Sequence, residues 1–287
     1  MRHIRGAEIA AIFQDPLTSL HPLYTVGWQI SEMIRAHERS VTKAQAHERA
    51  VDLLTQVGIP QAARRVNDYP HQFSGGMRQR AMIAMALALR PKLIIADEPT
   101  TALDATVQAQ ILDLLVRLQR EYDTALIMIT HDLGVIADIA DSVMVMYAGK
   151  PAEYAGRRTL FYEPHHPYTK GLLESIPGST GAAARLRPIP GQPPSLINVP
   201  SGCAFHPRCP YVMDRCIGEV PPLFTLASEG GGHQSACWLP VTALGLGKEA
   251  EQVRMEAVAA NRTGRAKAIA EAVLSSDAAT EARGSVA

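Results

Sequence analysis

The stretch Leu93-Ile94-Ile95-Ala96-Asp97-Glu98-Pro99 constrains this chain more than any other. Residues 93–96 form a short uninterrupted apolar run of the kind that makes a buried strand. Two adjacent carboxylates close it, which puts them at the carboxyl edge of a sheet, where open α/β folds bind ligands. Such a pair divides its labour readily: one carboxylate holds Mg²⁺ through its waters, and the other orients or deprotonates an attacking water. Taken alone, the pair is equally well an acidic cap on a strand-to-turn corner. The surroundings decide.

The run lies within alternating strand and helix signals. Residues 7–13 read as a strand entering a polar turn at Gln14-Asp15-Pro16. Helical spacing dominates residues 26–57, with a break near 40–42 and Val51, Leu54 and Val57 on one stripe. Residues 75–89 read as a helix opening on two glycines. Val107, Ile111, Leu114, Leu115 and Leu118 mark a helix with one apolar face. Residues 125–129 are a further apolar strand, followed by His131-Asp132 and a short helix. Residues 143–147 and 151–154 look like a hairpin around Ala148-Gly149-Lys150. This alternation predicts an α/β fold with a parallel-sheet core. Composition changes after about residue 162: residues 164–222 are rich in Pro and Gly with weak periodicity, and residues 241–287 form an alanine-rich tail without aromatic residues, read as a solvated helix or a disordered extension.

Two further features point to an anion. Ser74-Gly75-Gly76 at a helix N-terminus exposes backbone N–H groups, and the helix dipole adds to their attraction for a phosphate. Serine is also an ordinary N-cap. His131 directly follows a strand, within reach of the same sheet edge, where a lone histidine is more often structural. Gln14, closing the first strand, carries no signal by itself.

In order and spacing these pieces resemble the ATP-binding subunits of ABC transporters. Gln14 resembles the Q-loop glutamine, Ser74-Gly75-Gly76-Met77-Arg78 the signature motif, and Asp97-Glu98 the Walker B pair. Ala102-Leu103-Asp104 resembles the D-loop and Thr130-His131-Asp132 the switch histidine. The finer text of residues 13–20 and 69–80 is similar to dipeptide/oligopeptide importers, with nickel importers as close relatives. The resemblance runs over residues 5–239. It implies an ABC-type nucleotide-binding domain over residues 1–162, with a helical subdomain at about 26–90 and an importer-type C-terminal region over 163–240. It also implies an energising role. ATP, with Mg²⁺, is bound between two such chains, Glu98 and His131 serving hydrolysis and Gln14, Ser74, Gly75, Gly76, Asp97 and Asp104 the nucleotide. The implied partners are a second ATP-binding subunit, two transmembrane permeases and, indirectly, an extracytoplasmic solute-binding protein. The place is then the cytoplasmic face of the inner membrane, as a peripheral subunit.

One departure is serious. The family's Gly-x-x-x-x-Gly-Lys-Ser/Thr phosphate loop occurs nowhere in these 287 residues. That loop wraps phosphates in backbone N–H groups and reaches them with its lysine. In the family it precedes the strand ending at Gln14, so the chain reads as N-terminally truncated. This raises a second expectation, a binding module that donates its signature motif to a partner's ATP without holding its own. A third, a soluble ABC protein of DNA repair or translation, is disfavoured by the importer-like text.

The cysteines are a second constellation, Cys203-x5-Cys209-x6-Cys216-x20-Cys237. Unrelated buried thiols and a metal site are both open on spacing. The absence of paired C-x2-C units lowers a zinc reading. Four thiolates can hold a [4Fe–4S] cluster, and Pro210 after Cys209 is similar to ferredoxin ligand loops. The importer family has a similar Cys-rich segment, some members of which carry such a cluster, so iron–sulfur is preferred and zinc is the alternative. His206, Arg208 and Arg215 are placed to offset its charge.

Composition closes off other classes. Lys plus Arg equals Asp plus Glu at 28 each, and aromatic residues are only 5%, which argues against nucleic acid as a partner. The longest apolar run, residues 81–89, is too short to span a bilayer. No apolar export segment opens the chain, and four cysteines do not make a disulfide-stapled secreted domain. The expectation is a cytosolic globular protein.

Overall fold

The computed structural model describes residues 3–101, 103–175, 188–226 and 232–239. The 241–287 tail and Ala102 lie outside the described residues. The chain forms two compact units, residues 1–135 and 136–287. The elements are, in order, β1 (Ile9–Ile12), α1 (Pro16–Ser19), α2 (Val26–His37), α3 (Lys43–Gln56), α4 (Ala62–Arg65), α5 (Gly75–Leu87), β2 (Leu93–Asp97), α6 (Ala105–Tyr122), β3 (Ala125–Ile129) and α7 (Leu133–Ile139). They continue with β4 (Ser142–Tyr147), β5 (Lys150–Gly156), α8 (Arg157–Tyr162), α9 (Pro167–Glu174), α10 (Asp214–Gly218), β6 (Phe224–Thr225) and β7 (Gln234–Ser235).

In the first unit, β1, β2 and β3 form a parallel sheet in that order, with Ile12 opposite Ala96 and Asp97 opposite Ile129. Helices α2 to α5 fill the long connection between β1 and β2, and α6 makes the return to β3. Ala10, Ile12, Ile94 and Ala96 belong to a buried core with Ala81, Met82, Ile83 and Leu87 of α5 and Ile111, Leu114, Leu115 and Leu118 of α6. The strands are not buried on both faces, as their apolar text suggests. Strand side chains alternate, and Ile9, Ile127 and Ile129 of the opposite face stay exposed.

Helix starts follow local chemistry. Thr25, Thr42, Ser74 and Asp104 cap α2, α3, α5 and α6 with side-chain oxygens, and Thr42 with Gln45 completes a capping box. The expected break in residues 26–57 falls at residues 38–42, between α2 and α3. Glu38 ends α2 there and takes two hydrogen bonds from the Arg49 guanidinium, at 2.7 and 3.1 Å. That pairing holds the Glu38 carboxyl below its ordinary value against the opposing effect of burial.

In the second unit, β4-β5-β7-β6 form an antiparallel sheet. The β4–β5 hairpin turns at Ala148 and Gly149, both at positive φ (47° and 77°), as a twisted two-residue turn requires. The chain beyond the Pro/Gly-rich stretch supplies β6 and β7, the latter pairing with β5. Weak periodicity concealed these because each has two residues, too few to show alternation. Tyr147, Tyr168 and Phe205 pack ring against ring, with centroids 4.7–5.4 Å apart.

Gly27 of α2 makes a close helix contact in the first unit, its N–H donating to Val66 O at 2.8 Å. A Cβ at Gly27 would lie 2.6 Å from that oxygen and closer still to the Val66 side chain. Gly27→Ala is therefore expected to destabilise the protein by about 1–3 kcal/mol through overpacking. The measurement is a lower urea midpoint at unchanged m-value.

Candidate functional site

Parallel pairing brings three strand ends to one edge. Gln14 lies two residues beyond β1, Asp97 and Glu98 end β2, and His131 lies two residues beyond β3. Gln14 Nε2 donates to Glu98 Oε2 at 2.9 Å, and His131 Nδ1 is 3.1 Å from Glu98 Oε1. Three residues far apart in sequence thus meet on one carboxylate. A fourth, Thr101, was missed by sequence reasoning; its Oγ1 donates to Glu98 Oε2 at 2.8 Å. Its position three residues after Glu98, in the turn that Pro99 opens, is the only signal for it.

Glu98 sits at φ 44°, in the left-handed region that non-glycine residues rarely adopt. Its N–H donates to Ile129 O at 2.9 Å, which anchors the turn to β3. Strained backbone of this kind clusters at functional sites. The Thr101 hydrogen bond foremost, then that of His131, holds the Glu98 carboxyl below its ordinary value. The group is therefore ionised at neutral pH, the form that orients water or accepts its proton.

The remaining motif residues are placed otherwise. Ser74 caps α5, its Oγ accepting from Met77 N–H at 3.3 Å. Gly75 and Gly76 open that helix beside Leu103 and Val107, and a Cβ at Gly76 would lie 2.8 Å from Val107 Cγ1. Asp104 caps α6 by accepting from Val107 N–H at 2.9 Å. Asp97 is exposed at the strand end. These residues fit the hydrolytic end of a nucleotide site, with an amide, carboxylates and an imidazole converging at a sheet edge. A phosphate-wrapping loop with its lysine has no counterpart in the sequence.

The cysteines come together in the second unit. Gly202, at φ 66°, allows the close approach: a Cβ there would meet Cys216 O and lie 2.7 Å from Ile217 O. The approach lets Cys203 N–H donate to Cys216 O at 2.8 Å. Cys203, Cys209, Cys216 and Cys237 line one small cavity with His166, His206, Phe205 and Trp238. All four are free thiols. Burial raises each of them, Cys209 to about 12, so the thiols are neutral without a metal. N–H groups of Tyr211 and Leu239 donate to the sulfurs of Cys209 and Cys237, both at 3.4 Å. Among the described residues, no group of three or more His, Cys, Asp or Glu is placed to hold a metal ion.

Of the expected basic neighbours, His206 lines the cavity. Arg208 is committed to Pro190 O, Ile189 O and the Tyr147 hydroxyl. Arg215 lies over the Trp238 ring at 3.5 Å and pairs with Glu219. Sequence reasoning also missed a buried polar network beside the cavity. Glu153 Oε1 accepts from His165 N–H at 2.7 Å and His233 Nε2 at 2.8 Å, and Oε2 accepts from His166 N–H at 3.0 Å. Burial pushes the Glu153 carboxyl up, but these hydrogen bonds outweigh it and leave it below its ordinary value. Burial lowers His166 to about 4. The one signal for this network was Pro167 at the first turn of a helix, behind a polar cap.

A parallel α/β core carrying glutamine, paired carboxylates and histidine on one edge defines an ABC-type nucleotide-binding domain. Comparison with known proteins agrees. The model of the family "ABC transporter" matches residues 1–101, and that of "Oligopeptide/dipeptide transporter, C-terminal region" matches residues 152–216. The oligopeptide transport ATP-binding protein OppD of Salmonella typhimurium is 53% identical over 241 residues, covering 84% of this chain and 70% of that one. The dipeptide transport ATP-binding protein DppD of Escherichia coli K12 is 52% identical over 240 residues, covering 84% and 72%. DppD of Bacillus subtilis is 53% identical over 239 residues, covering 83% and 70%. The chain belongs to the family of ATP-binding proteins of oligopeptide and dipeptide ABC transporters.

The hydrogen bonds on Glu98 carry a direct consequence. Thr101→Val removes the leading stabiliser of the ionised carboxylate, so the Glu98 pKa should rise towards its ordinary value. Carbon NMR of the labelled Glu98 carboxyl should show its titration moving to higher pH.

Proposed function

We propose that this chain is the energy-coupling ATP-binding subunit of a peptide importer, acting peripherally at the cytoplasmic face of the membrane. The carrying observation is the convergence of Gln14 and His131 on Glu98 at the carboxyl edge of the parallel sheet. Among the described residues no helix is long and apolar enough to cross a membrane. Two permeases and a second ATP-binding subunit complete the assembly, fed by an extracytoplasmic solute-binding protein. Peptide is the cargo by family, with nickel or another small solute as the alternative. In domain terms, residues 1–162 are the nucleotide-binding part, with a helical subdomain at about 26–90, and 163–240 are the importer-type region.

In hydrolysis, ionised Glu98 orients the attacking water and takes its proton. His131 bonds to the same carboxylate and fixes its direction. Gln14 senses the site through its amide and, standing at the start of the connection to α2, links it to the helical part. Asp97 would hold Mg²⁺, which would offset phosphate charge. Ser74, Gly75 and Gly76 present backbone N–H groups to the ATP of the opposing subunit, and Asp104 orders the α6 start beside them.

A second reading has the chain serve as signature donor to a loop-bearing partner, supported by Ser74 capping α5 with Gly75 and Gly76 in its first turn. The purified importer, assembled with its second ATP-binding subunit, separates the two. If the chain's own site hydrolyses ATP, Glu98→Gln should cost about a hundredfold or more in turnover, as expected for loss of a general base. If it only donates its signature, Glu98→Gln leaves turnover near the unsubstituted rate while Ser74→Arg abolishes it. Full turnover in both variants would sink both readings.

The four cysteines are proposed to hold a [4Fe–4S] cluster, chiefly as a structural brace. Their convergence on one cavity and the two N–H···S hydrogen bonds support this. Iron–sulfur is preferred to zinc on the resemblance to the importer family's Cys-rich segment and on the absence of paired C-x2-C units. Anaerobically purified protein should be brown with about four irons per chain. Cys209→Ser should bleach it and expose the region after residue 162 to protease. Colourless protein with stoichiometric zinc would reverse the choice of metal.

A further inference from the structure

His131 reaches Glu98 with a ring that packing does not hold. Its side chain is 77% exposed, and its Nδ1 lies 3.1 Å from Glu98 Oε1. Keeping an exposed side chain in one rotamer costs conformational entropy, so the direction of this ring is set by the backbone that carries it. That backbone is tied on both sides. Asp132 N–H donates to Thr130 Oγ1 at 3.0 Å, which closes a tight turn over His131. Asp132 Oδ1 accepts from Gly134 N–H at 2.9 Å and from Val135 N–H at 3.4 Å, at the start of α7.

The other oxygen of the same carboxylate faces a different element. Asp132 Oδ2 accepts from Gln108 Nε2 at 3.1 Å, across 24 residues of sequence. A carboxylate accepts, so the partner itself settles which end of the Gln108 amide points towards Asp132. Gln108 stands one turn into α6, where its own N–H donates to Asp104 O at 2.8 Å. Ile111, Leu114, Leu115 and Leu118 of that helix are buried in the core. The bond from Gln108 is half-buried, so water weakens it less than it would an exposed one. The turn that carries His131 is therefore tied to a rigid, core-packed helix as well as to β3.

We propose that Gln108 is a positioning residue for His131, holding residues 130–132 through Asp132 so that the imidazole stays on Glu98. This role rests on hydrolysis by Glu98 and His131 as proposed for this site, and it names the side chain that keeps the two together. Loss of the Gln108 amide leaves the Oδ1 cap of α7 intact, so the expected defect is one of direction and not of folding.

The first readout uses the full chain labelled with ¹⁵N-histidine, in which the His131 ring is assigned by its disappearance in His131→Gln. Gln108→Leu keeps the bulk of the side chain and removes the donor. The His131 Nδ1 resonance should then move towards that of a freely exposed histidine, with the urea midpoint unchanged. The second readout is ATP turnover by the assembled importer. Gln108→Leu should lower kcat about tenfold at unchanged KM, since a misplacement of about 1 Å near the chemistry costs up to about a hundredfold.

Gln108→Glu sets two carboxylates against each other and should reproduce both effects. Adding Asp132→Asn to it should reverse them, because asparagine still caps α7 with its oxygen while its NH₂ donates to the new carboxylate. A merely structural defect in α6 would not be repaired by a change in the other partner. An unmoved His131 ring in Gln108→Leu, or no rescue by Asp132→Asn, overturns the positioning role. A displaced and rescued ring with unchanged turnover supports that role and removes instead the hydrolytic function of His131.

Discussion

The parallel register of β1, β2 and β3 is the constraint on which the nucleotide-site geometry depends. Parallel strands all end at the same edge, so the residues that follow them are delivered to one line whatever their separation in sequence. Ile12 lies opposite Ala96, and Asp97 opposite Ile129. Gln14 and His131 each follow by two residues, and both reach Glu98. A one-residue slip of β3 would turn its side chains to the other face and withdraw His131. Leu126 and Met128 of β3 resist that slip because they pack against the core shared with α5 and α6.

Glu98 shows how such an edge stores chemistry. The left-handed backbone costs of order 1–3 kcal/mol for a side-chain-bearing residue, and the bond from Glu98 N–H to Ile129 O holds it there. Three side chains then converge on the two carboxylate oxygens, Thr101 and Gln14 on one and His131 on the other. Each favours the charged form, so they lower basicity while fixing direction. A carboxylate set up in this way is held both ionised and in one direction.

Much of this edge was legible because motif residues and strand ends coincide. The apolar run at 93–96 followed by Asp97-Glu98 marked a strand and its carboxyl end together, and Gln14 and His131 gained meaning only from their order around it. Thr101 was not legible, because a hydroxyl in a turn has no periodic signature and its role exists only once the turn folds back on Glu98. The helices 26–57 and 75–89 were legible from spacing, as α2, α3 and α5 are long enough to show it. The exposure of Ile127 and Ile129 was not, since a strand covered on one face and a strand covered on both share the same apolar text.

The second unit reverses this balance between text and structure. Its strands β6 and β7 have two residues each, and its order comes from single contacts that no window can average. Gly202 is the clearest of these: only the absence of a Cβ lets the chain at Cys203 approach Cys216 O. Glu153 is another, a buried carboxylate in a β-strand that would be costly alone and is instead satisfied by two backbone N–H groups and a histidine. Such a network is specific where an apolar core is merely cohesive, because removing any one partner leaves a buried group unpaired. The four cysteines lie beside that network, which holds His166 in the wall of their cavity through this chain's own hydrogen bonds.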